Sequence, residues 1–238
     1  MITLATTGRI LRQLRHDRRT VALMVLVPAL LLTLLYFMYE DTPRTFDRIA
    51  LTMLGIFPFT IMFLVTSIAM LRERTSGTLE RLLTTPLRKT DLLFGYGLAF
   101  SLAAVLQGAF ATGVAYWLLG LDTPGSAWLV LLVAVVDAVL GVALGLLCSA
   151  FARTEFQAVQ FLPVVVVPQI LRCGLFVPRE QMAGWLHAIS NALPLTYAVE
   201  ALTQVDADAT MWRDLIIVAG AAVVALILAA ATLRRRTP

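Results

Sequence analysis

The chain has 238 residues, of which 59% are hydrophobic and only 14% are charged, and its mean hydropathy is +0.84. Soluble domains carry about 25% charged residues, so this composition excludes an ordinary soluble domain and indicates a membrane protein. The net charge of +4 does not indicate a nucleic-acid partner, because in a membrane protein the distribution of charge matters more than its sum. We expect membrane lipid, and no nucleic acid, among its partners.

Six apolar stretches are long enough to cross a bilayer core, which needs about 20 residues per helix. In chain order they are 21–39, 49–71, 92–120, 127–152, 156–177 and 215–233. The first stretch follows an arginine-rich lead and lacks a small-residue cleavage site, so it is interpreted as a retained span rather than a signal peptide. Helices alone satisfy their own backbone in lipid as open-ended segments. The sequence therefore predicts an all-α polytopic membrane protein with six transmembrane helices.

The basic residues give the predicted orientation of these spans. Most of them fall in the pieces that are cytoplasmic if both termini are inside, namely Arg9, Arg12, Arg15, Arg18, Arg19, Arg72, Arg74, Arg81, Arg88, Lys89, Arg153, Arg234, Arg235 and Arg236. The outer pieces hold Arg44, Arg48, Arg179 and Arg213. We therefore expect both termini in the cytoplasm.

Before the first span, the stretch GRILRQLRHDRR places Ile10, Leu11 and Leu14 on one side of a helix with arginines around them. This pattern predicts an amphipathic helix on the inner leaflet. The alternative is a basic flank that only sets the orientation of span one. The whole chain, 1–238, is interpreted as one transmembrane domain. Its parts are an interface helix (1–20), spans one and two (21–71), a cytoplasmic loop (72–91), spans three to five (92–178), an outer segment (179–213), and span six with a basic tail (214–238).

The loop RERTSGTLERLLTTPLRK, residues 72–89, is polar and strongly patterned between two apolar spans. Gly77 favours a turn, and Thr78 can cap the helix that follows. Pro86 ends that helix, because proline cannot continue a helix interior. One side of the helix carries Leu79, Leu82 and Leu83. A helix of about two turns is not stable alone in water, so it needs a packing partner.

The sequence offers no catalytic residue. A phosphate-binding loop needs G-x-x-x-x-G-K-[ST], but Lys89, the only lysine, follows Arg88, and Leu83 stands where the first glycine should be. No H-E-x-x-H or G-x-S-x-G motif is present. Cys148 and Cys173 both lie in apolar stretches, so we expect neither a disulfide nor a metal site. The chain is expected not to be an enzyme and to bind no cofactor of its own.

Two charged residues fall inside predicted spans, Asp137 near the middle of the fourth and Arg172 in the outer half of the fifth. A charge at bilayer depth costs roughly 2.5–3.5 kcal/mol on insertion scales, so each is a candidate functional residue. Three interpretations remain open: a buried pair that joins the two spans, a contact with the substrate or gate, or an Arg172 that is not deep. The last follows if Pro163 and Pro168 break the fifth span and its outer end folds back.

The loop resembles the cytoplasmic loop of the membrane subunits of type 2 ABC exporters. The matching residues are Glu73, Gly77, Thr78, Leu79, Glu80, Leu82, Leu83 and Pro86. A second stretch, LFVPREQMAGWLHAISNALPLTYAVEAL at 175–202, is similar to the family's segment between its fifth and sixth spans. The resemblance implies short or re-entrant helices on the outer side there. Its outer-gate candidates are Pro178, Trp185, Pro194, Tyr197 and Glu200, although Glu200 can equally be an exposed carboxylate on a helix face.

The resemblance implies a permease subunit whose loop after span two is a coupling helix that docks into a cytoplasmic P-loop ATPase. That partner would bind ATP and Mg, and a second permease copy, identical or paralogous, would complete the path. We expect a multi-pass protein of a bacterial plasma membrane that exports a hydrophobic or amphipathic, drug-like or lipid-like compound. The alternatives are export of a polysaccharide or glycolipid carrier, and an ion-coupled secondary transporter that uses Asp137 as its proton site.

Overall fold

The structure, a computed structural model, describes residues 2–75, 89–175, 181–205 and 209–232. Every regular element in these ranges is helical. In chain order the α-helices are α1 (Ile2–His16), α2 (Arg18–Met38), α3 (Pro43–Thr75), α4 (Lys89–Gly113), α5 (Ala127–Ser149), α6 (Glu155–Phe161), α7 (Val167–Arg172), α8 (Gly184–Ser190), α9 (Pro194–Thr203) and α10 (Ala209–Thr232). Two π-helical turns, Val114–Leu118 and Leu162–Val166, extend α4 and join α6 to α7.

Five helices of the described residues are long and apolar enough to cross a membrane: α2, α3, α4 with its π turn, α5 and α10. The stretch predicted as the fifth span, 156–177, forms α6, a π turn and α7 instead of one regular helix. Pro163 and Pro168 fall at the starts of the second and third pieces, where each removes a backbone donor. The helix ends at Arg172, and Gly174 follows with a positive φ of 94°. This segment is therefore shorter and less regular than predicted.

Helix α5 is the centre of the bundle and packs against α3, α4 and α10. Its contact with α3 is made by a stripe at four-residue spacing, in which Gly141 and Gly145 face the backbone of Phe59 and Phe63. A Cβ atom at Gly145 would lie 2.5 Å from the Phe63 carbonyl oxygen. Small residues at this spacing let two membrane helices approach closely, and the G-x-x-x-G pattern is the sequence signal for such a contact.

The two ends of the bundle differ in chemistry. One end carries arginines of α1, of the start of α2 and of the end of α3, with Arg153 beyond α5. The opposite end carries all four tryptophans of the chain, each more than half exposed: Trp117, Trp128, Trp185 and Trp212. At that end the Asp122 backbone N–H donates to Asp47 Oδ1 at 3.2 Å and joins the loop before α5 to the first turns of α3. Tryptophans concentrate at membrane–water interfaces, and arginines concentrate on the cytoplasmic side.

This asymmetry predicts that the arginine-rich end of the bundle faces the cytoplasm and that the end with the tryptophans faces the outside. A cysteine in place of Arg12, exposed on α1, should react with an impermeant maleimide only after the cells are permeabilised. A cysteine in place of Asp122 should react in intact cells. The parent chain for both has Cys148 and Cys173, which are buried, replaced by alanine. The reverse labelling pattern would place the termini outside.

Candidate coupling site, outer cavity and intramembrane charges

Most of the predicted coupling helix lies outside the described residues: Gly77, Thr78, Leu79, Glu80, Leu82, Leu83 and Pro86. The structure describes its two flanks, Glu73 near the end of α3 and Asp91 near the start of α4. Both flanks contact α1, the helix predicted to lie on the inner leaflet. What the structure describes of this candidate site is therefore the set of contacts that α1 makes with Glu73 and Asp91.

The first contact is an ion pair between α1 and α3. Arg9 Nη2 donates to Glu73 Oε1 at 2.9 Å, and Glu73 is buried with 9% of its surface exposed. The Tyr96 hydroxyl of α4 interacts with both side chains. A carboxylate buried at this depth needs such partners, because a charge taken out of water without them is costly.

The second contact is between α1 and α4, on the far side of the coupling segment. Thr3 Oγ1 donates to Asp91 Oδ1 at 3.1 Å, and Thr7 Oγ1 donates to the Gly95 carbonyl oxygen at 3.3 Å. Gly95 lets the helices touch, since a Cβ atom there would lie 2.7 Å from Thr6 Cγ2. Helix α1 thus bridges residues that precede and follow the coupling segment.

The apolar side of α1 also differs from the simple interface helix expected from the sequence. Ile10 is buried against the α4 side of the core, with Leu11 and Leu14 partly buried beside it, whereas Leu4 is exposed. The predicted amphipathic pattern is therefore present, and much of its apolar side packs on the protein. Sequence periodicity identified this side but not its partner.

Two further links join α3 to the last residue of α5 and to the start of α6 at the same end of the bundle. Arg72 forms a two-point ion pair with Glu155, with N–O distances of 2.7 and 3.0 Å. Arg74 donates to the Ser149 carbonyl oxygen. The hydrogen bond from Arg72 lowers the pKa of Glu155, so its stabilisation is present above the usual glutamate pKa and is lost as pH falls through the lowered value. Both partners of this pair are exposed, so its contribution to stability is small.

At the opposite end, the outer-gate candidates separate. Pro178 lies outside the described residues, and Trp185 is exposed on α8. The other three are together on α9: Pro194 begins it, the Tyr197 hydroxyl donates to the Asn191 carbonyl oxygen at 2.7 Å, and Glu200 lines a cavity.

This cavity has a volume of about 490 Å³ and opens between α3, α9 and the turn after α7. Arg44 and Arg48 of α3 stand at it together with Glu200, while Thr52 and Cys173 line it as well. The two arginines form no ion pair with any residue in the described ranges. Charged and apolar side chains therefore line the same opening.

Asp137 is fully buried on α5, and neither carboxylate oxygen has a hydrogen-bond partner among the described residues. Arg172, the last residue of α7, is partly buried and forms no ion pair with Asp137. The carboxylate lies instead against Gly55, where a Cβ atom would be 3.4 Å from Oδ2. The buried pair between Asp137 and Arg172, one of the three interpretations left open by the sequence, is therefore not formed in this structure.

These features define a multi-pass helical membrane protein in which a polar stretch of sequence, 72–89, lies between the apolar parts of α3 and α4. The chain belongs to the ABC-2 type transporter family, which it matches over residues 2–206. It is thus a permease of the type 2 ABC class, as its loop motif suggested.

Curated relatives agree with this assignment at modest identity. The chain is 28% identical to "ABC transporter G family member 20" of Dictyostelium discoideum over 67% of its length. It is 29% identical to "Probable multidrug ABC transporter permease YbhR" of Escherichia coli (strain K12) over 60% of its length. It is 25% identical to "Linearmycin resistance permease protein LnrN" of Bacillus subtilis (strain 168) over 68% of its length. The aligned parts span only 22%, 39% and 43% of those proteins.

Proposed function

We propose that the chain is the transmembrane subunit of an ATP-driven exporter and that a separate cytoplasmic P-loop ATPase hydrolyses the ATP with Mg. Two permease subunits, identical or paralogous, would form the path in a bacterial plasma membrane. The observation that carries this proposal is the arrangement around α1, which contacts both flanks of the loop whose motif resembles a coupling helix. A segment that transmits force needs both of its ends fixed to the bundle.

In this mechanism, the apolar side of the coupling helix, Leu79, Leu82 and Leu83, docks into the ATPase, and Glu80 lies at the rim of that contact. Closure of the ATPase then displaces the coupling helix. Because Glu73 and Asp91 are tied to α1, both α3 and α4 move with it. The displacement reaches α5 through its packing on α3 and α4.

For the substrate we propose a hydrophobic or amphipathic, drug-like or lipid-like compound. Two relatives carry the words "multidrug" and "resistance" in their names, which favours drug-like compounds. The cavity beside Glu200 combines charged side chains with the apolar Ile49, Leu175 and Val199, which suits an amphipathic molecule.

The proposed coupling can be tested by purifying the tagged chain from its host in mild detergent. We expect an equimolar P-loop ATPase to co-purify with the wild type and to be lost with Leu83→Asp, while the variant chain still inserts in the membrane. Burying an unpaired carboxylate in an apolar interface costs more free energy than the leucine contact contributes to binding. Gln13→Asp, the same gain of charge on an exposed position of α1, is the matched control and should retain the ATPase.

Recovery of the chain alone, under conditions that keep other ABC complexes intact, would contradict the proposal. An ion-coupled transporter that uses Asp137 would then be the better hypothesis. Co-purification that survives Leu83→Asp would instead place the ATPase contact elsewhere on the chain.

A further inference from the structure

Asp137 is a buried acid that the coupling mechanism does not use. It belongs to the same stripe of α5 as Gly141 and Gly145, and this stripe faces Gly55, Phe59 and Phe63 of α3. At Gly141 and Gly145, the missing side chains of α5 leave room for the backbone of α3. At position 137 the glycine is on the other helix, because Gly55 of α3 leaves room for the carboxylate of α5. The helix contact therefore accommodates an acid that has no hydrogen-bond partner within the described ranges.

An unpartnered buried polar group requires an explanation, since native structures contain few of them. The helix contact at Gly55 does not supply one, because Gly55 and the Leu202 side chain beside it would suit an apolar side chain equally well. Ionisable groups at membrane depth typically mark the path of a substrate or an ion. The question is then whether the carboxylate lies near a route that a ligand can use.

The outer cavity supplies such a route. Its α3 wall includes Arg48 and Thr52, and Gly55 follows on the same helix face, about 4.5 Å deeper than Thr52 at the α-helical rise. The Leu202 side chain covers this point, since a Cβ atom at Gly55 would lie 2.8 Å from Leu202 Cδ1. Cys173 lines the cavity and interacts electrostatically with Asp137. The carboxylate therefore lies about one helical turn beneath the cavity floor, closed off by α9.

We propose that Asp137 is the anionic end of an occluded binding site for a basic nitrogen, so that the transported compound is an amphipathic cation such as a protonated alkylamine. This inference rests on the proposed exporter function and specifies its substrate class. A cation bound at Asp137 would satisfy the carboxylate, and its apolar part would lie along the α3–α9 wall. Movement of α9 away from Gly55 would join the site to the cavity. Arg44 and Arg48 at the mouth then oppose the return of a released cation.

The test measures equilibrium binding to the purified permease–ATPase complex in lipid nanodiscs without nucleotide. The probe is a dodecylamine that carries a dansylamino group at the end of the chain opposite its free, protonated amine. The same molecule acetylated at that free amine is the matched neutral control. We expect the wild type to bind the amine at least about tenfold more tightly than the acetylated probe, the effect expected of a desolvated charge partner. Asp137→Asn, which is nearly isosteric and removes no hydrogen bond, should abolish this difference and leave binding of the neutral probe unchanged.

A second variant, Leu202→Val, shortens the side chain that separates Asp137 from the cavity and leaves the acid in place. It should increase the association rate of the amine. Equal affinities of the two probes for the wild type, or a difference that persists in Asp137→Asn, would overturn the inference. Those outcomes leave the exporter function intact if the ATPase still co-purifies. Discrimination by a chain that brings no ATPase would instead support the cation site and contradict the exporter.

Discussion

Replacing Gly141 or Gly145 by leucine should prevent the chain from folding into a stable bundle. A Cβ atom at Gly141 would overlap the Phe59 carbonyl oxygen, and one at Gly145 would lie 2.5 Å from the Phe63 carbonyl oxygen. Backbone atoms of α3 cannot rotate away as a flexible side chain can, so α3 and α5 must separate. Overpacking of this kind costs about 3 kcal/mol or more. The contact affected is the one that places α3 on the central helix.

The measurement is the yield of monodisperse protein in mild detergent and its thermal unfolding. We expect little folded material from Gly141→Leu or Gly145→Leu. The matched control is Gly220→Leu, because Gly220 lies in the apolar α10 with nothing within 4 Å of a Cβ atom, and this variant should behave as wild type. If all three variants unfolded alike, glycine flexibility would matter rather than the close approach of α3.

The helical class and most spans could be predicted because lipid imposes a simple rule on the sequence. An apolar run of about 20 residues must satisfy its own backbone and therefore becomes a helix. This rule placed α2, α3, α5 and α10 close to their observed bounds. It placed 156–177 less well, since hydropathy does not register the backbone donors that Pro163 and Pro168 remove.

The contacts around the candidate sites could not be predicted in the same way. Periodicity shows which residues share a helix side, but not which distant helix that side meets. Arg9 and Glu73 are 64 positions apart, and the packing of α1 on α4, beside the end of α3, brings them together. Asp137 was recognised from its depth, yet its neighbour is Gly55 rather than Arg172. The pattern Gly-x-x-x-Gly at 141–145 is the sequence signal for the contact between α5 and α3.

Separating α1 from the flanks of the coupling segment should uncouple ATP hydrolysis from transport. Glu73→Gln and Arg9→Gln each remove one charge of an ion pair whose carboxylate is buried, which costs about 2 kcal/mol. That free energy corresponds to roughly a 30-fold change in the ratio of docked to undocked α1. We expect both variants to bind the ATPase and to hydrolyse ATP, while transport per ATP falls by up to a similar factor.

The measurement is transport and ATP hydrolysis by the same reconstituted complex, with the double variant Arg9→Gln, Glu73→Gln completing a double-mutant cycle. The double variant should lose less than the sum of the two single effects, since neither charge is then left without the opposite charge of the pair. Glu155→Gln is the control, because it breaks a closer ion pair at the same end of the bundle, but one that is exposed to water. Because an exposed pair contributes little, this variant should transport normally. A uniform loss in all of them would mean that surface charge at this end matters and that the α1 contact does not transmit force.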